Sequence, residues 1–455
     1  MTDSTTAAAE VAVEEKMEET PAAAAAEEET KAETSEAGGE DKPQTAGETS
    51  TEKKPGMSGT VAKHYNDLRE GTVFDRTRSR IYYQRNFNNW IKSMVIANSL
   101  KAVHRKKGCT VLDLCCGKGG DLLKWTKGNI KKLVCADIAE VSVQQCQKRY
   151  NDLVQRNRRQ NNPVFAAEFI AADCADVLLT QRYKETDILF DLCSCQFSLH
   201  YSFEKPERAR TMIRNACERL RPGGYFVGTI PNGYELVSRL KGAEGLTFGN
   251  EVYKVTFEKK EEFPLFGCKY DFHLEGVVDC PEFLIYFPLL EEMAKEFDME
   301  LVYFKNFMEI YKENSENTDN QALIAKMQAL EQYPPDKFTK LASSKSDDYV
   351  HAEARHMELT GLASDTDKKP MTIGTLSKSE WEASSLYCAF AFKKAGEFEE
   401  PEEETKEEEK EVANGDGAEA AAEADAAAAD STETPQEGEE AEEEGDAEGQ
   451  EEEEA

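Results

Sequence analysis

A glycine-rich turn that directly follows a short apolar segment constrains the fold of this chain most. The segment Val111–Leu114 leads into Cys115-Cys116-Gly117-Lys118-Gly119-Gly120. Glycine there permits positive φ and lets a ligand approach the backbone closely. A second apolar run, Leu133–Ala136, ends at Asp137, where a carboxylate is placed to accept hydrogen bonds from ribose hydroxyls. This layout predicts a nucleoside-bearing ligand on the first two strands of an open α/β sheet.

Motifs that the chain lacks narrow the choice of ligand. The turn does not have the G-x-G-x-x-G spacing of a pyrophosphate cradle, and no G-x-x-x-x-G-K-[ST] occurs, which disfavours nicotinamide dinucleotides and nucleoside triphosphates. S-adenosyl-L-methionine carries an adenosine but no phosphate and fits better. A glycine turn alone is weak evidence, so this prediction depends also on Asp137 and on the strand pattern around it.

The net charge of −34 is concentrated at the two ends of the chain. Residues 1–57 carry −10 and residues 396–455 carry −26, which leaves +2 for residues 58–395. Segments so rich in Ala, Glu, Thr and Gly cannot bury enough apolar surface to offset the entropy of ordering, so both ends are predicted to be disordered acidic tails. The tails either keep the protein soluble, or the C-terminal one binds basic proteins or screens the body from non-specific RNA.

The cysteine pattern argues against a metal ribbon and against a disulfide framework. All 12 cysteines lie between the tails at irregular spacings, and no C-x-x-C occurs. There is no signal peptide and no apolar run long enough to span a bilayer, so we expect a reducing intracellular compartment and no membrane.

Between the tails, strand-length apolar runs alternate with amphipathic stretches. Residues 60–107 look helical. Strands are predicted at 110–114, 132–136, 167–171, 188–194, 225–230 and 386–392, and helices at 119–127, 140–157, 206–220 and 320–331. Such alternation is typical of a parallel sheet with helices on both faces. Residues 235–290 are rich in β-formers and suggest an inserted lobe or hairpin, and a further lobe is expected at about 312–370.

Polar residues follow successive predicted strands, where ligands of open α/β sheets bind. They are Asp113, Asp137, Asp173 and Gln196. Each alone could be a helix cap, but four in register make a site more plausible. Two further segments suit base and phosphate contacts, because they mix aromatic rings with polar or basic side chains: Gln196–Tyr201 and Arg85–Lys92. Either segment could equally be structural.

These segments, together with 264–272, 278–283 and 374–382, closely resemble the eukaryotic mRNA cap guanine-N7 methyltransferases over residues 60–394. The resemblance implies a Rossmann-like class I methyltransferase fold, with a mostly parallel seven-stranded sheet, in a domain spanning 58–395. It also implies S-adenosyl-L-methionine as the methyl donor and 5′-capped mRNA as the substrate. The acidic tails lie outside it.

Site residues can be carried over from the family's motifs. Those matching its S-adenosylmethionine contacts are Lys92 (methionine carboxylate), Cys115 (glycine turn), Asp137 (ribose), Asp173 (adenine amino group), Gln196 and Tyr201. Those matching its cap contacts are Asn88, Asn89, Lys118, Lys124, Arg149, His200, Glu282 and Tyr387. The family usually has Gly at position 115, so a positive φ there costs this chain stability.

The resemblance further implies catalysis by positioning, with His200, Tyr201 and Glu282 holding the base and no metal or acid–base residue. It implies nuclear residence, contact with the transcription or capping machinery, and a small activating subunit docking at residues 312–350. Two other functions stay open. One is a class I methyltransferase with another substrate, and the other is a catalytically weak methyltransferase fold that binds RNA or serves as a scaffold.

Overall fold

The structure is a computed structural model that describes residues 77–159, 162–362 and 371–397, together with Gly59. The predicted tails lie outside the described residues, apart from Gly396 and Glu397. So do residues 60–76 of the stretch predicted to be helical. None of the described helices is both long enough and apolar enough to cross a membrane.

The strands and helices follow one another along the chain in a largely alternating order. The strands are Thr110–Leu114 (β1), Lys132–Asp137 (β2), Ala166–Ala171 (β3), Phe190–Gln196 (β4), Leu220–Pro231 (β5), Thr247–Gly249 (β6), Tyr253–Phe257 (β7), Lys269–Leu274 (β8), Val278–Phe283 (β9), Met299–Asn306 (β10), Glu331–Tyr333 (β11), Ile373–Thr375 (β12) and Tyr387–Lys394 (β13). The helices are Tyr82–Val103 (α1), Leu122–Lys127 (α2), Glu140–Arg159 (α3), Pro206–Cys217 (α4), Gly233–Gly242 (α5), Phe287–Lys295 (α6), Phe307–Asn314 (α7), Thr318–Met327 (α8), Val350–Leu362 (α9) and Lys378–Ser384 (α10).

Seven of the strands form one mostly parallel sheet in the order β10-β13-β5-β4-β1-β2-β3. The first five strands of the chain pair in parallel, and only β13 runs antiparallel to both of its neighbours. Leu114, the last residue of β1, is level with Ala136 of β2 and with Cys195 of β4. The carboxyl ends of the three central strands therefore meet at one edge, where a ligand site is expected.

Helices cover both faces of this sheet, which confirms the predicted class I architecture. Because successive side chains of a strand point to opposite faces, Val111 and Leu112 of β1 belong to different hydrophobic clusters. Val111 shares its cluster with Phe87 and Trp90 of α1. Leu112 shares the other cluster with residues of α4 and α6, such as Met212. The core is therefore two layers of apolar side chains, one on each side of the sheet.

Two segments are inserted into this framework. Residues 247–283 form a separate four-stranded antiparallel sheet, β6-β7-β8-β9. Residues 307–362 and 371–384 form α7 to α10 and the two-stranded ribbon of β11 and β12. The boundaries predicted for the domain and its lobe stay predictions.

The predicted helix at 320–331 was wrong at its C-terminal end. Helix α8 stops at Met327 because Gln328 adopts a left-handed conformation with φ of +51°, and from Glu331 the chain pairs with Thr375 as a strand. The helix predicted at 206–220 also ends early, at Cys217, because Leu220 already pairs with Phe190 in the sheet. In both places a long-range backbone pairing overrides the local helical pattern.

Candidate active site

Two cavities with a common wall lie at the carboxyl ends of the central strands. The first cavity has a volume of about 270 Å³ and lies against the ends of β1, β2 and β4. The second has about 890 Å³ and lies between α1, α3 and β9. Phe197 and Tyr201, just beyond β4, line both cavities. A ligand in one cavity can therefore lie beside a ligand in the other, with these two rings in contact with both.

Five of the six predicted cofactor residues contribute to the first cavity: Cys115, Asp137, Asp173, Gln196 and Tyr201. Lys92, the sixth, lines the second cavity instead. Its ammonium lies 2.9 Å from the carboxylate of Asp121, which also pairs with Lys124 at 2.7 Å. Burial opposes the charge of Asp121, but Lys92 and Lys124 outweigh it and lower the pKa of this carboxyl to about 2. The Lys92 ammonium is thus held by Asp121, which was not among the residues predicted for the site.

The glycine turn needs left-handed backbone at three positions: φ is +56° at Cys115, +52° at Gly117 and +76° at Gly119. A Cβ on Gly119 would lie 2.8 Å from both Cys146 Sγ and Leu122 Cδ1, so this glycine is required by packing as well. Cys115 therefore has the positive φ that we expected to reduce the stability of the chain. A side chain in the left-handed region costs about 1–2 kcal/mol relative to glycine.

Two backbone N–H groups fix the carboxylate of Asp137 in the first cavity. Its Oδ2 accepts from Gly117 N and its Oδ1 from Ala139 N, both at 2.8 Å. Burial raises the pKa of Asp137, and these two hydrogen bonds limit the rise. Because a carboxylate oxygen can accept a second hydrogen bond, the group retains capacity for two adjacent hydroxyls.

Asp173 and Gln196 already have protein partners within the first cavity. One guanidinium nitrogen of Arg208 lies 3.0 and 3.2 Å from the two oxygens of Asp173. The amide of Gln196 donates to Ser194 Oγ at 3.0 Å, and its oxygen accepts from Thr229 at 3.1 Å. These bonds orient both side chains. Arg208 lies 35 residues from Asp173, so no local sequence signal indicated this pair.

Asp113 was predicted as a strand-end ligand residue and does not line either cavity. It is buried and accepts a hydrogen bond from the Trp125 indole at 3.2 Å. Burial and the nearby Asp121 raise the pKa of Asp113 well above its ordinary value. The prediction was wrong because Asp113 precedes the end of β1 by one residue, and successive side chains point to opposite faces.

Six of the eight predicted cap-contacting residues line the second cavity: Asn88, Asn89, Arg149, His200, Glu282 and Tyr387. Lys118 and Lys124 do not contribute to its wall. The Lys124 ammonium is bound by Asp121 and by the Asn89 side chain, which holds it behind the cavity. Arg85, from the predicted segment Arg85–Lys92, lines the cavity as well, and so does Arg156, which was not predicted.

A buried carboxylate stands at the inner end of the second cavity. Glu282 is 4% exposed, and its Oε2 accepts from the Tyr270 hydroxyl at 2.8 Å. Its Oε1 accepts from the Tyr201 hydroxyl at 3.4 Å and lies 3.2 Å from His200 Nε2, without alignment for a hydrogen bond. Burial, together with Glu282, raises the pKa of Tyr270 well above its ordinary value, so Tyr270 stays a donor.

His200 has unused hydrogen-bonding capacity at this point. The side chain is 2% exposed, and neither ring nitrogen has a hydrogen-bond partner among the described residues. Its ring stacks at a tilt on Tyr201, with centroids 4.2 Å apart. A buried polar group without a partner costs free energy unless a ligand supplies one, so this corner of the cavity is suited to a polar planar ligand.

The shared wall depends on Phe197, which belongs to the predicted segment Gln196–Tyr201. Phe197 adopts φ of +58° and is held there by hydrogen bonds from its N–H to the carbonyl (2.9 Å) and hydroxyl (3.1 Å) of Thr229. Its ring packs edge-on against Tyr387 at 5.1 Å. Non-glycine residues in this conformation cluster at functional sites, but the sequence alone gives no signal of it.

Comparison with known proteins agrees with this geometry. Residues 48–395 match the model of the mRNA (guanine-N(7))-methyltransferase domain. Over 354 residues the chain is 44% identical to the mRNA cap guanine-N(7) methyltransferase of Drosophila melanogaster, covering 76% of this chain and 79% of the relative. It is 42% identical to that of Caenorhabditis elegans, with 76% and 90% coverage. Identity to mRNA cap guanine-N(7) methyltransferase 1 of Oryza sativa is 37%, with 74% and 81% coverage.

The matched domain contains every residue of both cavities described above. It also matches three quarters of this chain, well beyond a local motif. The chain therefore belongs to the mRNA (guanine-N(7))-methyltransferase family.

Proposed function

We propose that this protein transfers the methyl group of S-adenosyl-L-methionine to N7 of the terminal guanosine of the 5′ GpppN cap of mRNA. The observation that carries the proposal is the pair of cavities that share Phe197 and Tyr201. Asp137, in the first cavity, is suited to a ribose. Glu282, in the second, is suited to the guanine edge that presents two N–H donors, N1–H and the N2 amino group.

The reaction needs no general base, because guanine N7 carries a lone pair and no proton. The sulfonium is already an activated methyl donor, so no metal or covalent intermediate is required. Catalysis then consists mainly in holding N7 in line behind the methyl group, and fixed geometry of this kind is worth roughly 7–11 kcal/mol. Phe197 and Tyr201 form the wall on which the two ligands are aligned.

Charge development favours the same arrangement. The sulfonium becomes neutral while the guanine becomes cationic, so positive charge moves towards the second cavity. Glu282 lies there with a fixed position and little solvent to screen it. Its carboxylate therefore stabilises the transition state more than the ground state. Arg149, in the same cavity, is placed to neutralise part of the triphosphate.

The proposal is tested by methyl transfer from labelled S-adenosyl-L-methionine to a GpppA-capped RNA. An uncapped RNA and an already N7-methylated cap should accept no label. Glu282→Gln keeps the side-chain shape but removes the charge and one acceptor, so kcat/KM should fall about 100-fold, the range expected for a charged hydrogen bond. Asp279→Asn, on the same strand but 80% exposed, is the matched control and should behave as wild type.

Each failure of this experiment has a distinct meaning. Equal labelling of an uncapped RNA would favour a class I methyltransferase with another substrate. Tight binding of S-adenosyl-L-methionine without transfer would favour the catalytically weak scaffold, unless an activator restores the rate.

The same proposal places the protein in the nucleus with the transcription or capping machinery, because capping accompanies transcription. It also includes a small activating subunit that docks at residues 312–350. Phe338 in that segment is 97% exposed and offers an apolar ring that a partner could cover. Phe338→Ser should then leave the basal rate unchanged and abolish stimulation by nuclear extract depleted of its own enzyme. Unaltered stimulation would exclude this docking position.

A further inference from the structure

Three thiols from separate segments meet behind the glycine turn. Cys116 lies in the turn, Cys135 in β2 and Cys146 in α3, and their Sγ atoms all lie within 4.8 Å of one another. All three are free, and Cys135 and Cys146 have no exposed surface. The proposed methyl transfer uses none of these sulfurs.

The spacing of the sulfurs fits one metal ion. A buried free cysteine often packs simply as a small apolar side chain, but that role does not require three sulfurs in mutual contact. With metal–sulfur bonds of about 2.3 Å, three ligands in a trigonal plane lie about 4.0 Å apart. This value falls within the observed limit of 4.8 Å.

The donor set selects the type of ion. Among the histidine, cysteine and acidic side chains that the structure describes, the group has these three members and no fourth. Structural zinc takes four ligands, and full burial of two of the cysteines disfavours a water as the fourth. Soft thiolate donors favour copper(I), for which three ligands suffice. We propose that Cys116, Cys135 and Cys146 form a binding site for a single copper(I) ion.

Binding requires no oxidant or reductant, because copper enters and stays as copper(I). Each thiol that becomes a ligand forms one S–Cu bond and loses its S–H proton to solvent, so up to three protons are released. The site is separate from the methyl-transfer chemistry, which proceeds without it.

The cluster is connected to the first cavity through the backbone of Cys116. The residues on either side of it, Cys115 and Gly117, both line that cavity. Cys116 N donates to Ala136 O at 3.2 Å, and its carbonyl accepts from Gly119 N at 3.1 Å. Drawing the three sulfurs onto one ion shifts this turn from the position that shapes the cavity. Copper(I) should therefore weaken S-adenosyl-L-methionine binding about three- to tenfold, a consequence that rests on the proposed function.

The test is anaerobic titration of the reduced full-length protein with copper(I) in competition with a chromogenic chelator. Wild type should bind one ion per chain, with thiolate-to-copper absorption in the near ultraviolet. Cys146→Ala and Cys135→Ala should each lower the affinity at least 100-fold. Cys195→Ala is the matched control, because Cys195 is equally buried but its thiol faces Cys115. Circular dichroism of each variant checks that it is folded.

Equal affinity in wild type and in folded Cys146→Ala and Cys135→Ala would overturn the site. A loss of affinity of the same size in Cys195→Ala would also overturn it, because binding would then be a general property of the thiols. S-adenosyl-L-methionine affinity that is unchanged by a bound ion would overturn the coupling alone. If metal-free wild type does not bind S-adenosyl-L-methionine, the proposed function fails, and copper(I) binding remains a separate result.

Discussion

At the scale of single residues, the two cavities depend on side chains that contribute a ring, a charge or a backbone conformation. Tyr201 contributes a ring to both cavities and a hydroxyl to Glu282. Cys115 contributes mainly its backbone, in a left-handed conformation that glycine adopts more easily. Each contribution can be tested by a substitution that removes it and keeps the other contributions of the same residue.

Tyr201 is expected to act mainly through its ring. Tyr201→Phe keeps the shared wall and removes a hydroxyl whose contacts with Glu282 (3.4 Å) and Cys280 (3.5 Å) are both long, so kcat should fall less than about fivefold. Tyr201→Ala removes the wall, and misplacement of the reacting groups should lower kcat about 100-fold. Steady-state kinetics with capped RNA measure both. A Phe variant as impaired as the Ala variant would show that the hydroxyl is the important group.

Cys115 should carry conformational strain that glycine relieves. Cys115→Gly and Cys115→Ala both remove the thiol, but alanine retains the Cβ that disfavours φ of +56°. The Gly variant should therefore be more stable than the Ala variant by about 1 kcal/mol in urea unfolding. If the contact to S-adenosyl-L-methionine is made by the backbone, both variants should bind it within threefold of wild type. A more stable Ala variant would contradict the strain.

At the scale of secondary structure, helix α3 connects the turn to the second cavity. Cys146 in its first half packs against Gly119, and Arg149 and Arg156 further along line the second cavity. Arg149 and Arg156 lie two helical turns apart along one side of the second cavity, and such a pair of cations is suited to RNA phosphates.

Arg156→Gln should therefore affect long substrates more than short ones. The KM for a capped RNA of about ten nucleotides should rise several-fold, and the dependence of log K on log salt should become shallower by about 0.7, the value for one single-strand phosphate. The KM for GpppA should not change. Arg159→Gln, on the same exposed helix but outside the cavity, is the control. Equal effects on GpppA and RNA would instead place Arg156 on the cap.

At the scale of the whole molecule, charge is divided between a nearly neutral body and acidic ends. Residues 396–455 carry −26 and residues 1–57 carry −10. A strongly negative segment on the same chain opposes the approach of RNA phosphates through like-charge repulsion.

Deleting residues 396–455 should lower the KM for capped RNA at low salt, because a repelling charge is removed. The difference should vanish at high salt, where the Debye length falls to about 3 Å. Deleting residues 1–57 is the matched control and should have a smaller effect, in proportion to its charge. An identical KM for all three proteins at low salt would show that the ends do not act electrostatically on RNA binding.

Features that depend on neighbouring residues could be predicted from the amino-acid sequence. The strands β1 and β2 followed from apolar runs, the turn from its glycines, and Asp137 from its place after a strand. The parallel sheet with helices on both faces followed from the alternation of strands and helices, whereas its seven strands were implied by the family resemblance. The predicted strands and sheet were confirmed because their physical causes, such as side-chain alternation and glycine φ, act within a few residues.

Contacts between side chains that are distant in sequence depend on the tertiary structure. Arg208 joins Asp173 across 35 residues, Tyr270 and His200 converge on Glu282, and Cys116 meets Cys135 and Cys146 without any metal-binding spacing. The tertiary structure also places Asp113 and Lys124 outside the cavity walls. The physical reason is that such contacts are fixed by the packing of whole elements, whose partners lie tens to hundreds of residues away and leave no local pattern.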